Sequence, residues 1–467
     1  MANATNKRGS FTGSIGFVLA AAGSAVGLGN IWRFPYLAAK DGGGLFLLCY
    51  LLLALTFGFA LLTTEIAIGR KTGQSVLTAY GTLHQRFRWL GVVASAVPAL
   101  ILPYYCVIGG WVLKYLAAYL TGGGTAAMAD GYFTSFITAQ WSPIIWFVLF
   151  LAATAAVVFM GVDSGIERLS KILMPVLLMM ILAISVFSLT LSHTDDAGVT
   201  RTGLEGLLVY AVPNFKGITL RRFMVILMDA LGQLFYSISV AMGIMIAYGS
   251  YVKKETNLVK SVNQIELFDT IVAFLAGLMI VPAVYTYQGT EGMAAGPSLM
   301  FVSLPRVFGA MGGMGAVVGA VFFLMVTFAA LTSSVSIMEA VVSGLVDRFH
   351  IQRKKATLWV TLFGLVVGSV VCLGYNLFYF ELHLPNDSVG QVLDVLDYLS
   401  NFILMPIVAL STCILIGWIL KPDTVLDEAR IGSCHFSREK LYVVMIRYVA
   451  PVLLLFLLLQ ALGLVKL

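Results

Sequence analysis

An apolar segment near the start of the chain is interrupted by residues that a membrane-spanning helix disfavours. The run from Gly23 to Tyr36 contains three glycines, one arginine and one proline. Each glycine in a helix interior costs about 1 kcal/mol relative to alanine, and an arginine at bilayer depth costs at least about 2.5 kcal/mol. Irregular backbone at this depth is tolerated only where it lines a cavity inside the protein. The sequence therefore predicts a broken first span whose free peptide groups bind a ligand.

The composition indicates an all-α integral membrane protein. Hydrophobic residues make up 59% of the 467 residues and charged residues only 11%, whereas soluble proteins carry about 25% charge. The net charge of +6 then concerns orientation in the membrane rather than binding to nucleic acid. The five cysteines have no paired spacing, so neither a metal site nor a disulfide framework is indicated. We also expect no cleavable signal peptide.

Eleven segments are apolar and long enough to cross a bilayer. They lie near 13–39, 43–69, 88–120, 143–161, 168–191, 222–251, 262–286, 315–345, 357–378, 394–420 and 442–465. With the N-terminus in the cytoplasm, basic residues favour the cytoplasmic loops roughly three to one, as the positive-inside rule requires. We therefore expect a multi-pass protein of the cell membrane with an extracytoplasmic C-terminus.

The chain divides at its loops into six parts. These are a cytoplasmic N-terminus (1–12), a first repeat of five spans (13–191), an extracellular loop (192–221), a second repeat of five spans (222–420), a cytoplasmic loop (421–441) and the eleventh span (442–467). Within the second repeat, 287–314 is read as a capping hairpin because apolar residues lie between Gly296-Pro297 and Pro305. A loop that is merely apolar remains the alternative.

The sixth span also carries polar groups at membrane depth. Asp229, Gln233, Ser237 and Ser239 occur there together with two glycines. Interruptions in the first and sixth spans indicate a five-plus-five inverted repeat with the binding site between the two breaks. A half-helix N-terminus suits a carboxylate, and freed carbonyl oxygens suit a hard cation such as sodium.

Three runs carry a resemblance to a known family. They are Ala25 to Tyr36 with the following Asp41-Gly42-Gly43-Gly44, then Gln233 to Ser239, then Leu331 to Ser334. The chain resembles the neurotransmitter:sodium symporter family, close to its bacterial amino-acid transporters. The resemblance implies sodium-coupled symport of neutral, hydrophobic or aromatic L-amino acids by alternating access, without enzymatic activity. Many members have a twelfth span, whereas this chain stops after an eleventh.

The resemblance implies two sodium sites built from oxygen ligands. The first would use Ala25, Asn30, Ser237 and Asp269 together with the substrate carboxylate, and the second would use Gly23, Val26, Ala329, Thr332 and Ser333. Small-residue helix packing is the alternative role for Thr332 and Ser333.

Asp269 lies in an apolar span and is therefore a candidate functional residue. The alternative is an acid that faces water at a helix end. The family often has asparagine at this position, with chloride or an acid one turn later balancing the charge. Here the later residue is Ala273, so we expect Asp269 to supply the charge and chloride not to be required. Tyr50, Gln233 and Ser237 would line the corresponding space.

The resemblance places the substrate between the two breaks. The predicted contacts are Ser24, Ala25, Gly27, Leu28, Ile101, Tyr105, Tyr236, Ser237, Ser239, Met242, Ser333, Ser334 and Ile337. Gly27 is the discriminating residue, because monoamine carriers of the family have aspartate there. A glycine suits a substrate that brings its own carboxylate. Without the resemblance, the apolar members of this set are ordinary core residues.

The resemblance also implies two gates. Arg33 would pair with Asp397 near Gln233 on the outside, and Arg8 would pair with Asp347 near Tyr251 on the inside. Exposed ion pairs contribute only about 0–1 kcal/mol, which suits a contact that must open. Membrane anchoring is the alternative role of Arg8. For Glu65 and Glu339, hydrogen bonding to irregular backbone is favoured over a proton path.

Other functions remain open at this point. An ion channel would need a continuous polar lining, and a non-transporting amino-acid sensor would share the same binding residues. The expected partners are a small-molecule amino acid and the lipid bilayer, with no nucleic acid, and the expected assembly is a monomer or a weak dimer.

Overall fold

The computed structural model describes residues 9–195, 198–293, 298–385, 388–431 and 436–465. Nine helices in this part of the chain are long and apolar enough to cross a membrane. They are Gly44–Thr72, Gln85–Leu120, Ser142–Met160, Val162–Leu189, Leu258–Gln288, Gly313–Phe349, Arg353–Leu373, Val392–Ile419 and Glu439–Ala461. A tenth span consists of Ser14–Ala25 and Gly29–Lys40, which meet at an angle of 54°.

The predicted sixth span is also a broken helix. It comprises Leu220–Ser237 and Ile244–Gly249, with non-helical backbone between them. Counted with the ten spans above, it gives the eleven predicted segments, which we number one to eleven in chain order. The expected all-α membrane fold with interrupted first and sixth spans is confirmed.

The break in the sixth span is held by left-handed backbone. Ser239, Ala241 and Gly243 have φ angles of +54°, +60° and +72°. The left-handed region costs a residue with a side chain roughly 1–3 kcal/mol, so the surroundings must stabilise it. Part of that stabilisation comes from Glu65 on the second span, whose carboxylate accepts the Ala241 N–H at 2.6 Å. The expected bonding of Glu65 to irregular backbone is observed.

The broken first span lies inside the bundle. It packs against the fifth, seventh and eighth spans, and the eighth span packs along the third and fourth. Apolar side chains on the outer helices face away from the protein, among them Ile172, Leu182 and Leu358. The outward apolar surface matches a lipid environment.

Shorter elements join the spans. The helices are Val76–Leu83, Gly124–Ala127, Tyr132–Ile137, Gly203–Ala211, Leu299–Ser303 with Leu304–Ala310, and Asp423–Arg430, with a single turn at Thr290–Gly292. Ser192–Thr194 pairs antiparallel with Thr200–Thr202, and Leu382–His383 with Val389–Gly390. The segment 192–221, predicted to be a loop, contains one of these strand pairs and the helix Gly203–Ala211. In the described part of 287–314, Leu299, Met300 and Phe301 are buried.

One face of the bundle gathers the start of the described chain and several loop ends. The Phe11 N–H donates to the Tyr251 carbonyl at 3.2 Å, and the Ser75 N–H donates to the Asp347 carboxylate at 2.6 Å. We call this the N-terminal face and the other the opposite face.

Candidate functional site

The two helix breaks meet around one small cavity. Its lining comprises Ser24, Ala25, Gly27, Leu28, Gly29, Asn30, Ile101, Tyr105, Tyr236, Ser237, Ser239, Met242, Ser333 and Ile337. Twelve of the thirteen predicted substrate contacts are in this lining, and none of the lining residues is charged. The cavity volume is about 20 Å³, room for about one water molecule. An amino acid would therefore have to displace side chains on entry.

Ser334 is the predicted contact that does not reach the cavity. Its hydroxyl lies 2.8 Å from the Thr154 hydroxyl on the fourth span and donates to the Leu331 carbonyl. Successive residues on a helix point about 100° apart, so Ser333 faces the first span while Ser334 faces the fourth. The prediction that Ser334 lines the substrate space is wrong for this structure.

Close packing explains two glycines of the first break. A Cβ atom on Gly27 would lie 2.8 Å from the Ser333 Oγ and 3.0 Å from the Tyr105 hydroxyl. A Cβ atom on Gly29 would lie 2.6 Å from the Tyr236 ring. These distances are shorter than van der Waals contact, so side chains at both positions would fill the space between the breaks.

Peptide and hydroxyl groups converge at the polar end of the cavity. The Leu28 N–H donates to the Tyr105 hydroxyl at 3.3 Å, and the Gly27 N–H lies 3.5 Å from the Asn30 Oδ1. The Ser239 hydroxyl donates to the Ser24 carbonyl at 3.1 Å. This end offers both N–H donors and carbonyl acceptors, which is what the two charged groups of an amino acid need.

Asp269 is buried against the first and sixth spans. Its Oδ1 accepts from the Asn30 amide at 3.0 Å and the Ser237 hydroxyl at 2.7 Å, while its Oδ2 accepts from the Tyr50 hydroxyl at 3.1 Å. These donors are all uncharged, and Asp269 is only 1% exposed. Because a buried carboxylate needs a compensating charge, the predicted first-site residues fit a bound cation.

Carbonyls of the first span converge on the eighth span. The Ser333 hydroxyl lies 3.3, 3.0 and 3.3 Å from the carbonyl oxygens of Gly23, Ser24 and Val26. One hydroxyl has a single hydrogen to donate, so at least two of these acceptors have no share of it. The Thr332 hydroxyl lies 3.1 Å from the Phe328 and Ala329 carbonyl oxygens of its own helix, either of which can accept its hydrogen.

Oxygen atoms dominate both predicted sodium sites. Among the described residues, no three His, Cys, Asp or Glu side chains form a group that could hold a metal ion. Surplus carbonyls and hydroxyls without soft ligands are suited to a hard monovalent cation. The residues present therefore fit sodium at the second site as well as the first.

The predicted outer ion pair is not formed. Asp397 Oδ1 accepts from the Tyr104 hydroxyl at 3.1 Å and the Asn401 amide at 2.6 Å. The Arg33 guanidinium instead lies 5.6 Å from the centre of the Phe402 ring, and a cavity of about 220 Å³ borders Arg33, Asn401 and Phe402. Asp397 Oδ1 is thus hydrogen-bonded to two neutral donors, while Arg33 lies against Phe402. Sequence reasoning missed both Tyr104 and Asn401.

Gln233, the third residue of the predicted outer gate, crosslinks the two breaks. Its amide donates to the Gly29 carbonyl at 3.1 Å. Its Oε1 is buried without a hydrogen-bond partner among the described residues.

The predicted inner gate lies only partly within the described residues. Arg8 lies outside the described residues. The Tyr251 hydroxyl donates to Glu339 Oε1 at 2.7 Å, and Arg353 pairs with the same carboxylate. Glu339 therefore binds side chains, whereas the sequence analysis expected it to bind irregular backbone.

A second carboxylate on the N-terminal face was not predicted. Glu167, 1% exposed, accepts the Thr12 N–H at 2.8 Å and lies 2.6 Å from the Lys171 Nζ. Gly16 packs against it so closely that a Cβ would overlap the carboxylate. The contacts of Glu167 with Thr12 and Gly16 join the start of the first span to the fifth span.

Comparisons with known proteins identify the family to which the chain belongs. A model of the sodium:neurotransmitter symporter family matches residues 8–127 and 135–466. An uncharacterised sodium-dependent transporter of Bacillus subtilis is 33% identical, with 97% of each chain covered. The human sodium- and chloride-dependent GABA transporter 2 is 26% identical, with 81% of this chain and 69% of that protein covered.

A solved structure has the same fold. The crystal structure of MhsT in complex with L-phenylalanine is 33% identical, with 97% of this chain and 100% of that chain covered, at a TM-score of 0.85. The protein described here therefore belongs to the sodium:neurotransmitter symporter family, whose members are sodium-dependent membrane transporters and not enzymes.

Proposed function

We propose that this symporter takes up neutral, hydrophobic L-amino acids by alternating access. The observation that carries the proposal is the cavity between the two breaks. Peptide N–H groups, carbonyls and hydroxyls lie at one end, while Ile101, Met242 and Ile337 lie in the same lining, and no lining side chain is charged. An apolar side chain would be desolvated there without leaving a charge unpaired.

Gly27 supports a substrate with its own carboxylate. The space that a larger residue would need is occupied by the Ser333 and Tyr105 hydroxyls. A protein carboxylate cannot fit there to balance an amine. The carboxylate of the substrate would instead meet the Gly27 and Leu28 amides and the Tyr105 hydroxyl. The related MhsT was crystallised with L-phenylalanine, which favours large apolar and aromatic side chains.

Two sodium ions are proposed to accompany the substrate. Asn30, Ser237 and Asp269 with the Ala25 carbonyl would hold one ion beside the substrate carboxylate. The Gly23, Val26 and Ala329 carbonyls with the Thr332 and Ser333 hydroxyls would hold the other. A shared carboxylate gives reciprocal coupling, because each ligand then raises the affinity for the other.

Gating and orientation complete the proposal. We propose a multi-pass protein of the cell membrane with the N-terminal face in the cytoplasm. Closure of the opposite face would bring Arg33 to Asp397, and opening of the N-terminal face would release Arg8 from Asp347. No chloride would be required, since Asp269 supplies the negative charge.

Uptake into proteoliposomes tests the proposal. Under an inward sodium gradient, L-phenylalanine and L-leucine should accumulate with saturation, and L-lysine and L-glutamate should not compete. A potassium gradient and D-phenylalanine are the controls. A current that rises linearly with voltage would indicate a channel. Sodium-dependent binding without accumulation would indicate a sensor, and either result would contradict the proposal.

A further inference from the structure

A third cavity, larger than the two described above, opens on the N-terminal face, apart from the helix breaks. Its volume is about 740 Å³, and Gln74, Thr78, Arg88, Asp347, Arg348 and His350 contribute its polar lining. It lies between the helix Val76–Leu83, the start of the third span and the end of the eighth. This volume is in the range of small-molecule sites.

The cavity contains two exposed arginines that form no ion pair within the part of the chain that the structure describes. Elsewhere on this face, Arg70 pairs with Glu428, Arg353 with Glu339, and Arg438 with Glu266. Within the described residues, neither Arg88 nor Arg348 has a hydrogen-bond acceptor or an ion-pair partner.

One carboxylate lies in the same cavity. Asp347 accepts the Ser75 N–H at 2.6 Å. Two guanidinium groups and one carboxylate leave the lining with a net positive charge before His350 is counted, so an anion is favoured there.

Part of the cavity rim is apolar, since Leu77 and Val92 belong to the lining and Val92 is 58% exposed. Trp89, the residue after Arg88, is 48% exposed. Tryptophan is enriched where lipid headgroups meet the hydrocarbon core. The Arg88 side chain packs along Gly81, where a Cβ would lie 3.4 Å from its Cγ. Charged and apolar lining residues therefore meet within one cavity.

We propose that this cavity binds the phosphate of an anionic phospholipid, with an acyl chain along Val92. Guanidinium groups bind phosphate through paired N–H donors, and basic pockets between spans on the cytoplasmic side bind acidic headgroups. The apolar rim favours a lipid over a soluble phosphate, because only a lipid fills both parts. The site is separate from the substrate cavity.

Native mass spectrometry of the intact protein tests the site. The protein would be released from nanodiscs of phosphatidylcholine mixed with phosphatidylglycerol, and the bound lipids counted. The wild type should retain phosphatidylglycerol in preference to phosphatidylcholine. The double variant Arg88→Gln with Arg348→Gln should lower the retention of phosphatidylglycerol roughly tenfold. The matched control, Arg86→Gln with Lys355→Gln, removes the same charge from exposed residues outside the lining and should keep it.

Two outcomes would overturn the proposal. One is an equal loss of retained phosphatidylglycerol in both double variants, which would indicate an effect of overall charge and not of this cavity. The other is displacement of the lipid by glycerol 3-phosphate at equal concentration, which would indicate a soluble ligand. Thermal unfolding of each variant in phosphatidylcholine nanodiscs checks that both remain folded.

Discussion

Consecutive residues of the eighth span face different neighbouring spans. Ser333 contacts carbonyls of the first span, and Ser334 contacts Thr154. The family resemblance of the run Leu331 to Ser334 makes both serines candidates. Which one faces the break depends on the rotation of the helix in the bundle, and that rotation is set by packing.

Removing the second-site hydroxyls should weaken sodium binding. In Thr332→Val with Ser333→Ala, the cation would lose two oxygen ligands, and we expect sodium affinity to fall at least roughly tenfold. Thr327→Val is the matched control, because its hydroxyl donates to Phe323 on the same helix. Sodium titration of substrate binding measures both. An unchanged sodium affinity in the double variant would contradict the site assignment.

Ser334→Ala should leave substrate affinity unchanged. The substitution removes a hydrogen bond to Thr154, so we expect a loss of about 1 kcal/mol in the free energy of unfolding. Competition binding with L-phenylalanine and thermal unfolding would measure the two effects. If Ser334→Ala lowered substrate affinity as much as Ser333→Ala does, Ser334 would be part of the binding site and the prediction would be contradicted.

At the scale of elements, ion pairs join the outer ends of the first and sixth spans. Lys40 lies 3.1 Å from Asp229, and Arg222 lies 2.8 Å from Asp41. Asp41 is 0% exposed. Burial, followed by the charge of Asp229, raises its pKa from 3.8 to about 7. The two half-spans therefore share a proton-sensitive junction on the opposite face.

Stability at this junction should decrease with rising pH. The folded protein holds the Asp41 proton more tightly than the unfolded chain. Its stabilising contribution is therefore full below pH 3.8 and lost as the pH rises through about 7. Thermal unfolding of the wild type and Asp41→Asn across this window measures the difference. Asp130→Asn, at an exposed aspartate, is the control. If the thermal stability of the wild type and of Asp41→Asn changed equally with pH, the prediction would be contradicted.

Long elements were predictable and short ones were not. Eleven spans follow from apolar length, and both breaks follow from glycine and polar residues at membrane depth. The helix Gly203–Ala211 was missed, although Thr202 and Glu205 form a capping box at its start, a pattern visible in the sequence. The strand pairs on this face are only two or three residues long and have no periodicity to detect.

At the scale of the whole molecule, we propose that Asp269 determines which ions the cycle needs. A fixed negative charge at this position should make uptake independent of chloride, so replacing chloride with gluconate should not change the rate. Asp269→Asn removes that charge, and we expect sodium-coupled uptake to fall and to respond to added chloride. Uptake by the wild type that collapses in gluconate would contradict the assignment.

The contacts of the outer gate could not be predicted from the sequence, because they depend on the conformation of the helix bundle. The resemblance supplied Arg33 and Asp397 as partners, but the distance between them depends on how far the bundle is closed. Here Tyr104 and Asn401 satisfy the carboxylate. A chain that alternates between conformations has contacts that belong to one conformation, and a sequence encodes all of them at once.

The left-handed residues in the sixth span bear on how such a cycle proceeds. Ser239, Ala241 and Gly243 leave no continuous right-handed helix for this segment to regain when a solute departs. The two flanking helices of the sixth span would then tilt about the existing break, and the segment between them would not unwind and refold. Turnover would accordingly be limited by the repacking of neighbouring helices, with little backbone entropy gained or lost per cycle.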